Sequence, residues 1–142
     1  MMSDINRPSL PLYMSQALAG GRIVFTQSEA VKALKMTRRS FLNAAQREQK
    51  RKTLFNPRHG FYVAVPPQFL SWGAPPPAWY IDELMRHEGH RYYVGLLKAA
   101  ELHGATHQAV MNFQVVTDKR IPKIRAGRSI IEFLYRKNME HI

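Results

Sequence analysis

Side chains that can hydrogen-bond to base edges and phosphates recur at helical spacing between residues 38 and 50. On a wheel drawn at about 100° per residue, one side carries Arg39, Asn43, Gln46, Arg47 and Lys50. Arginine and lysine suit guanine edges and phosphates, whereas asparagine and glutamine suit adenine edges. The spacing predicts a cationic helix face with the chemistry needed to contact the major groove of DNA.

The opposite side of this helix is apolar, and we expect Phe41, Leu42 and Ala45 to face a core. A polar outer face is also what any solvated surface helix shows. Two features favour recognition over that ordinary explanation: the outer face holds no acid, and the basic run Lys50-Arg51-Lys52 continues beyond it. We therefore predict a recognition helix.

Residues on either side extend the predicted DNA-binding surface. Thr37 can cap the helix, and a hairpin after it places Arg58 and His59 at the tip of a wing. For that tip, an exposed polar turn is an equally good explanation. The complete predicted set is Thr37, Arg38, Arg39, Ser40, Asn43, Gln46, Arg47, Lys50, Arg51, Lys52, Arg58 and His59.

The distribution of charge favours a polyanionic partner. The 142 residues include 21 Lys and Arg against 10 Asp and Glu, a formal net charge of +11. Between Lys35 and Arg58, eight basic residues accompany a single acid, Glu48. Such a field attracts nucleic acid because each phosphate contact releases condensed counterions.

The elements around this helix predict a winged helix-turn-helix domain over residues 1–66. A capping box from Thr26 to Glu29 opens the helix before the turn, and Thr37 opens the recognition helix, as in a helix-turn-helix. The other predicted elements are a helix over Ser9 to Leu18, a strand over Ile23 to Phe25, and a hairpin with strands 52–55 and 61–65 around the turn 56–60.

Proline clusters at 66–67 and 75–77 predict a connector over residues 67–78. Residues 79–142 then predict a small α+β domain, with two helices followed by antiparallel strands. Its expected elements are helices over 79–87 and 92–103, strands over 110–117, 121–124 and 129–135, and a turn at 118–120. The predicted fold class is α+β throughout.

A second basic patch lies in this domain and comprises Lys119, Arg120, Lys123, Arg125 and Arg128. On strands, Lys123 and Arg125 would share a face. The patch can extend a DNA footprint or face an RNA or acidic partner. It can equally be the solvated edge of a hairpin, where cations prevent aggregation.

Several other chemistries find no support in the sequence. There is no cysteine, and His87-Glu88-Gly89-His90 is too short for the HExxH zinc motif, while His103 and His107 flank a Gly104 break. Without a glycine-rich phosphate loop, a nucleophile elbow or paired carboxylates, we expect no enzyme, no cofactor and no metal. No apolar run is long enough for a signal peptide or a membrane span, so we expect a cytoplasmic protein without a membrane partner.

Two segments resemble a known family. The sequence Thr37-Arg38-Arg39-Ser40-Phe41, with a wing ending Gly60-Phe61-Tyr62-Val63, resembles the winged helix of AbiEi-type antitoxins. The tract 92–105, YYVGLLKAAELHGA, followed by the strand 110–116 and a basic segment, resembles their second domain more specifically. The resemblance covers the chain from about residue 10 onward.

This resemblance implies an antitoxin of a type IV toxin–antitoxin system that represses its own operon by binding inverted repeats. It also implies a nucleotidyltransferase-like toxin as functional partner, opposed without a stable complex. Family members usually continue past residue 142, so a shortened second domain is expected. We expect two copies on a two-fold or repeated operator. The alternative is an RNA- or protein-binding module in which the winged helix is structural.

Overall fold

A computed structural model describes residues 9–100 and 110–137, with the backbone alone for residues 95–100 and 110. The chain divides into two compact units, Met1–Gly73 and Ala74–Ile142. This division falls inside the stretch 67–78 for which the sequence predicts a connector. The stretch carries two short 3-10 turns, Pro67–Phe69 and Pro77–Trp79.

The described part of the first unit contains three helices and three strands. They are α1 (Leu10–Ala19), β1 (Val24–Thr26), α2 (Gln27–Leu34), α3 (Arg38–Lys50), β2 (Leu54–Arg58) and β3 (Phe61–Ala64). Strand β3 is central and pairs antiparallel with β1 on one side and β2 on the other.

The predicted capping box at the start of α2 is confirmed. Thr26 Oγ1 accepts a hydrogen bond from the Glu29 amide at 3.1 Å, and Glu29 Oε1 accepts one from the Thr26 amide at 3.2 Å. Thr37 caps α3 in the same way, because its Oγ1 accepts from the Ser40 amide at 3.1 Å. Between the two helices, Lys35 adopts a left-handed conformation (φ 51°) that ends α2 and turns the chain.

The core of the first unit is organised around aromatic rings from α1, β1, β3 and α3. Phe25 stacks on Tyr62 with ring centroids 5.7 Å apart, and the edges of Tyr13 and Phe41 meet these two rings at 5.2 Å. Such offset and edge-to-face pairs add to the apolar burial of the rings. These contacts hold α3 against the sheet.

The predicted turn at 56–60 is wrong, because the paired strand continues to Arg58 and only His59 and Gly60 form the turn. The pairing shifts register between Phe55 and Arg58. Within this irregular stretch, Asn56 Nδ2 donates to the carbonyls of Arg58 and Phe61, each at 2.7 Å. The asparagine side chain therefore supplies hydrogen bonds that a regular ladder would take from the backbone.

The second unit combines one described helix with a four-stranded sheet. The helix is α4 (Ile81–Glu88), and the strands are β4 (Tyr92–Ala100), β5 (Val110–Thr117), β6 (Ile124–Ala126) and β7 (Ser129–Tyr135), in the order β4-β5-β7-β6. With four helices and two sheets in the described chain, the α+β class is confirmed.

The helix predicted over 92–103 is wrong: residues 92–100 form β4, and 101–103 lie outside the described residues. Strong helix formers such as Lys98 and Ala99 favoured the wrong choice. Pairing with β5, from Tyr92 opposite Thr117 to Ala100 opposite Val110, overrides that propensity. A register shift between Val94 and Leu97 accommodates Gly95, and glycine inside a strand commonly marks such a bulge.

The expectation of purely antiparallel strands is also wrong, because β5 and β7 run parallel, with Met111 opposite Ser129 and Thr117 opposite Tyr135. The strand predicted over 121–124 begins at Ile124 instead. Ile121 is buried within the connection from β5 to the edge strand β6. Since β6 forms an antiparallel hairpin with β7, β7 returns alongside β5 in the same direction.

Candidate nucleic-acid interface

The rotation of α3 about its axis is set by a buried stripe. Phe41, Ala44 and Ala45 are buried, and the Phe41 ring meets Tyr62 of β3 edge-on. Because residues three and four apart share one side of a helix, this stripe determines which side chains point away from the core.

The side chains with base-contacting chemistry occupy the opposite side, and all five are exposed: Arg39, Asn43, Gln46, Arg47 and Lys50. From first to last they span about 16 Å along the helix axis at 1.5 Å per residue, and a major groove about 12 Å wide admits an α-helix. Within the described chain, no carboxylate forms an ion pair with Arg39, Arg47 or Lys50. The positive charges of these three side chains are therefore not neutralised by acids of the described chain.

Leu42 departs from its predicted position in the core, since 39% of its surface is exposed. On the wheel it lies at the margin of the buried stripe, about 100° from Phe41. Ala44 and Glu48 take the inward positions instead. An apolar side chain thus borders the cationic face.

A buried acid is the residue that the sequence analysis missed. Glu48 is only 5% exposed. Its Oε2 accepts from Arg51 Nη1 at 3.2 Å, and its Oε1 accepts from Thr53 Oγ1 at 3.0 Å. The helical wheel contained the signal, because Glu48 falls between Ala44 and Phe41 on the core side.

The amino end of α3 uses its hydroxyl groups to cap the helix. Thr37 Oγ1 accepts from the Ser40 amide and donates to Ser40 Oγ at 3.0 Å. Both residues are exposed, as is Arg38 beside them. The helix dipole adds partial positive charge at this end, which favours an anion such as a phosphate.

The carboxyl end of α3 continues into a bend whose residues have cationic side chains. Lys50, Arg51 and Lys52 are all exposed, and Lys52 adopts a left-handed conformation with φ 64°. This bend redirects the chain into β2. The positive run therefore leads from the helix directly into the hairpin.

At the tip of the hairpin, His59 is exposed and Arg58 is half-buried. The tip is anchored from two sides: Asn56 bonds across it, and the Gln27 amide donates to the Gly60 carbonyl at 2.9 Å. These hydrogen bonds hold the tip of the hairpin in place beside the start of α2.

The second basic patch is split within the second unit. Lys119 and Arg120 follow β5, near the Thr117–Tyr135 row, whereas Arg125 lies opposite Ile130 and Arg128 precedes β7. Along β7, the Tyr135 row lies five or six residues, or about 17 Å, from the rows of Ser129 and Ile130. Lys123 comes just before β6, which contains Arg125, and both side chains are exposed.

Comparison with known protein families, characterised proteins and solved structures finds no match to this chain. The interpretation of the basic surface therefore depends on its own geometry and charge. Among residues 9–100 and 110–137, no group of three or more His, Asp or Glu is placed to hold a metal ion; His103 and His107 lie outside the described residues. None of the described helices is long and apolar enough to cross a membrane.

Proposed function

We propose that the first unit is a winged helix-turn-helix that binds duplex DNA, and that the protein acts as a sequence-specific transcriptional repressor. The observation that carries the proposal is the outward face of α3, where Arg, Asn, Gln and Lys side chains align opposite a buried apolar stripe. This combination of donors and acceptors suits base edges in the major groove.

The surrounding elements support this assignment. Helix α2, the left-handed turn at Lys35 and helix α3 follow one another as in helix-turn-helix proteins. The β2–β3 hairpin follows α3 immediately, in the position of a wing. In this proposal α3 enters the groove, while α2 crosses the phosphate backbone.

Different side chains have different tasks in the proposed complex. Arg39, Asn43, Gln46 and Arg47 contact base edges and give sequence preference. Lys50 and Lys52 contact phosphates, which position the protein without reading sequence. The capped amino end of α3 adds a phosphate site, and the wing tip reaches the adjoining backbone.

The proposal extends to operator architecture and to the antitoxin role implied by the family resemblance. Two copies would bind inverted or repeated half-sites, with centres one helical turn apart or a multiple of it. Repression of the protein's own operon and opposition to a nucleotidyltransferase-like toxin rest on the resemblance alone. Their test is genetic: co-expression should restore growth to cells that produce such a toxin, and failure to do so would refute the antitoxin role.

The DNA-binding proposal is tested by selection from a pool of duplexes with a randomised centre, using the full chain. We expect enrichment of one defined motif, with an affinity for it at least about 10³-fold higher than for random duplex. Affinity should fall steeply with salt in proportion to the phosphates contacted. Lys123→Ala, an exposed cation of the second unit, is the matched control and should enrich the same motif. A pool that stays random after selection would contradict sequence-specific binding.

A further inference from the structure

One end of the sheet in the second unit gathers cations from three separate strands. The last paired row joins Tyr92, Thr117 and Tyr135. The row is continued by two hydrogen bonds: the Thr117 side-chain Oγ1 donates to the Arg91 carbonyl at 2.7 Å, and the Arg136 amide donates to the Thr117 carbonyl at 2.8 Å. The residues just beyond this row are therefore neighbours in space, although they lie up to 46 positions apart in the sequence.

Five of these neighbouring residues are cationic and exposed, and we name them the sheet-end cluster: Arg91, Lys119, Arg120, Arg136 and Lys137. Two acids lie near them: Asp118, whose Oδ1 is 3.3 Å from His90 Nδ1, and Asp82 of α4, whose Oδ1 accepts from the Tyr92 hydroxyl at 3.1 Å. Neighbouring strands are about 4.8 Å apart, so the backbone segments that carry these cations lie close together.

Two tyrosines are interleaved with these cations. The guanidinium carbon of Arg120 lies 4.3 Å from the centroid of the Tyr135 ring, and 43% of Tyr135 is exposed. Arg136 Nη1 donates to the Tyr93 hydroxyl at 3.2 Å. Tyr93 lies in the next paired row of the sheet, with Val116 and Leu134. A planar guanidinium on a planar ring forms a surface on which another planar group can stack.

We propose that the sheet-end cluster binds single-stranded nucleic acid, with an unpaired base stacked on the Tyr135–Arg120 pair and phosphates held by the surrounding Lys and Arg side chains. Unpaired bases stack on aromatic rings and on arginine planes in proteins that recognise single strands. Bases inside a duplex are already stacked on one another and offer no free face. The ring–guanidinium pair also distinguishes this ligand from an acidic protein, which would use the charges alone.

The site lies in the second unit, whereas the proposed duplex-binding face lies in the first. It can therefore be tested in the full chain with α3 disabled by Arg39→Ala and Lys50→Ala. The probes are labelled oligouridylate, oligothymidylate and a duplex, each of about 12 nucleotides or base pairs, within the site sizes of single-strand binders. Binding is followed by fluorescence anisotropy across a salt series.

In this background the chain should retain its affinity for single strands and prefer them to the duplex. Tyr135→Leu should weaken single-strand binding at least about five-fold, whereas Tyr135→Phe, which keeps the ring, should leave it unchanged. Lys119→Ala should lower the salt slope by about 0.7. A preference for oligouridylate over oligothymidylate assigns RNA, and equal affinity assigns unpaired strands of either kind.

Three results would overturn the proposal. They are equal affinity for duplex and single strands, equal losses for Tyr135→Leu and Tyr135→Phe, and full displacement of the oligonucleotide by polyglutamate of matched charge. Should Tyr135→Leu fail to fold, Arg120→Lys makes the same test, because it keeps the charge and removes the planar group. Unchanged affinity in Arg120→Lys would then argue against stacking. Loss of duplex binding in the α3 variant with single-strand binding intact separates the two proposals.

Discussion

The buried carboxylate of Glu48 accepts a hydrogen bond from Arg51 Nη1 at 3.2 Å, on the inner side of the helix whose outer side carries the exposed cations. Thr53 completes the contact from the following segment. The single acid of the basic stretch 35–58 is therefore turned away from the proposed DNA surface. Its hydrogen bonds tie the end of α3 to the following segment, and its charge does not face the outer side.

Replacing this acid should separate stability from DNA binding. Glu48→Ala removes the acceptor of both Arg51 and Thr53 and should cost about 2 kcal/mol of unfolding free energy. The affinity of the folded protein for duplex DNA should stay equal or increase at low salt, because one negative charge is lost. Thermal unfolding and anisotropy measure the two effects. An affinity that falls as Tm falls would place Glu48 in the binding surface and contradict its inward role.

The salt bridge and capping box at Glu29 predict a stability contribution that depends on pH. Partial burial raises the pKa of Glu29, but hydrogen bonds from Arg22 and Thr26 and the charge of Arg22 outweigh it, so that pKa lies below its usual 4.5. A lowered pKa means that the stabilisation is complete above pH 4.5 and is lost as the pH falls through the folded-state value.

Glu29→Gln should therefore reduce Tm at pH 7, by an amount corresponding to about 0.5–1 kcal/mol, and the difference from the parent should shrink as the pH approaches 3. Thr26→Ser, which retains the capping hydroxyl, is the control and should show no such trend. A difference that is the same at pH 7 and pH 3 would show that the charge of Glu29 is not involved.

The left-handed conformation of Lys52 predicts a variant that is more stable and binds DNA less well. A residue with a Cβ pays about 1 kcal/mol at such a φ, so Lys52→Gly should raise the unfolding free energy by about that amount. Removing a phosphate contact should lower affinity for all duplexes alike and reduce the salt slope by about one. Lys50→Ala should reproduce the change in slope without the gain in stability. Loss of stability in Lys52→Gly would contradict the strain argument.

The side chain of Asn56 should make the hairpin tip rigid. Its Nδ2 atom donates to the carbonyls of Arg58 and Phe61, and Asn56→Ala should cost about 1–2 kcal/mol locally. Asn56→Asp has nearly the same shape but points an acceptor at two carbonyl oxygens, so it should cost more. Hydrogen exchange at the Gly60 and Phe61 amides measures the effect. Unchanged exchange in both variants would show that the bonds do not brace the tip.

The helices of the first unit could be predicted from its sequence because local signals there agree. Thr26 and Glu29 define a helix start by their own hydrogen bonds, and the period of Phe41 and Ala45 orients α3. The inward position of Glu48 was missed because hydropathy patterns assign acids to the surface. Thr53 and Arg51 donate the hydrogen bonds that compensate for the burial of its carboxylate.

The second unit was predicted less well because distant pairing decides its structure. Nothing local in Lys98-Ala99-Ala100 favours a strand, yet β5 pairs with this segment. The parallel pairing of β5 and β7 likewise depends on where the connection through Ile121 takes the chain. The sheet-end cluster arises from that pairing. The sequence therefore pointed to Lys119 and Arg120 but not to Arg91, Arg136 and Lys137, which are distant along the chain.

The central claim is that the outward face of α3 reads base edges, and its most direct test compares two kinds of α3 variant on the duplex motif obtained by selection. Arg39→Ala or Asn43→Ala should each cost about 1–3 kcal/mol on that motif and relax the preference at a defined base pair. Lys50→Ala should weaken motif and random duplex by the same factor. If all three variants lose equal affinity on motif and random duplex, α3 does not read sequence.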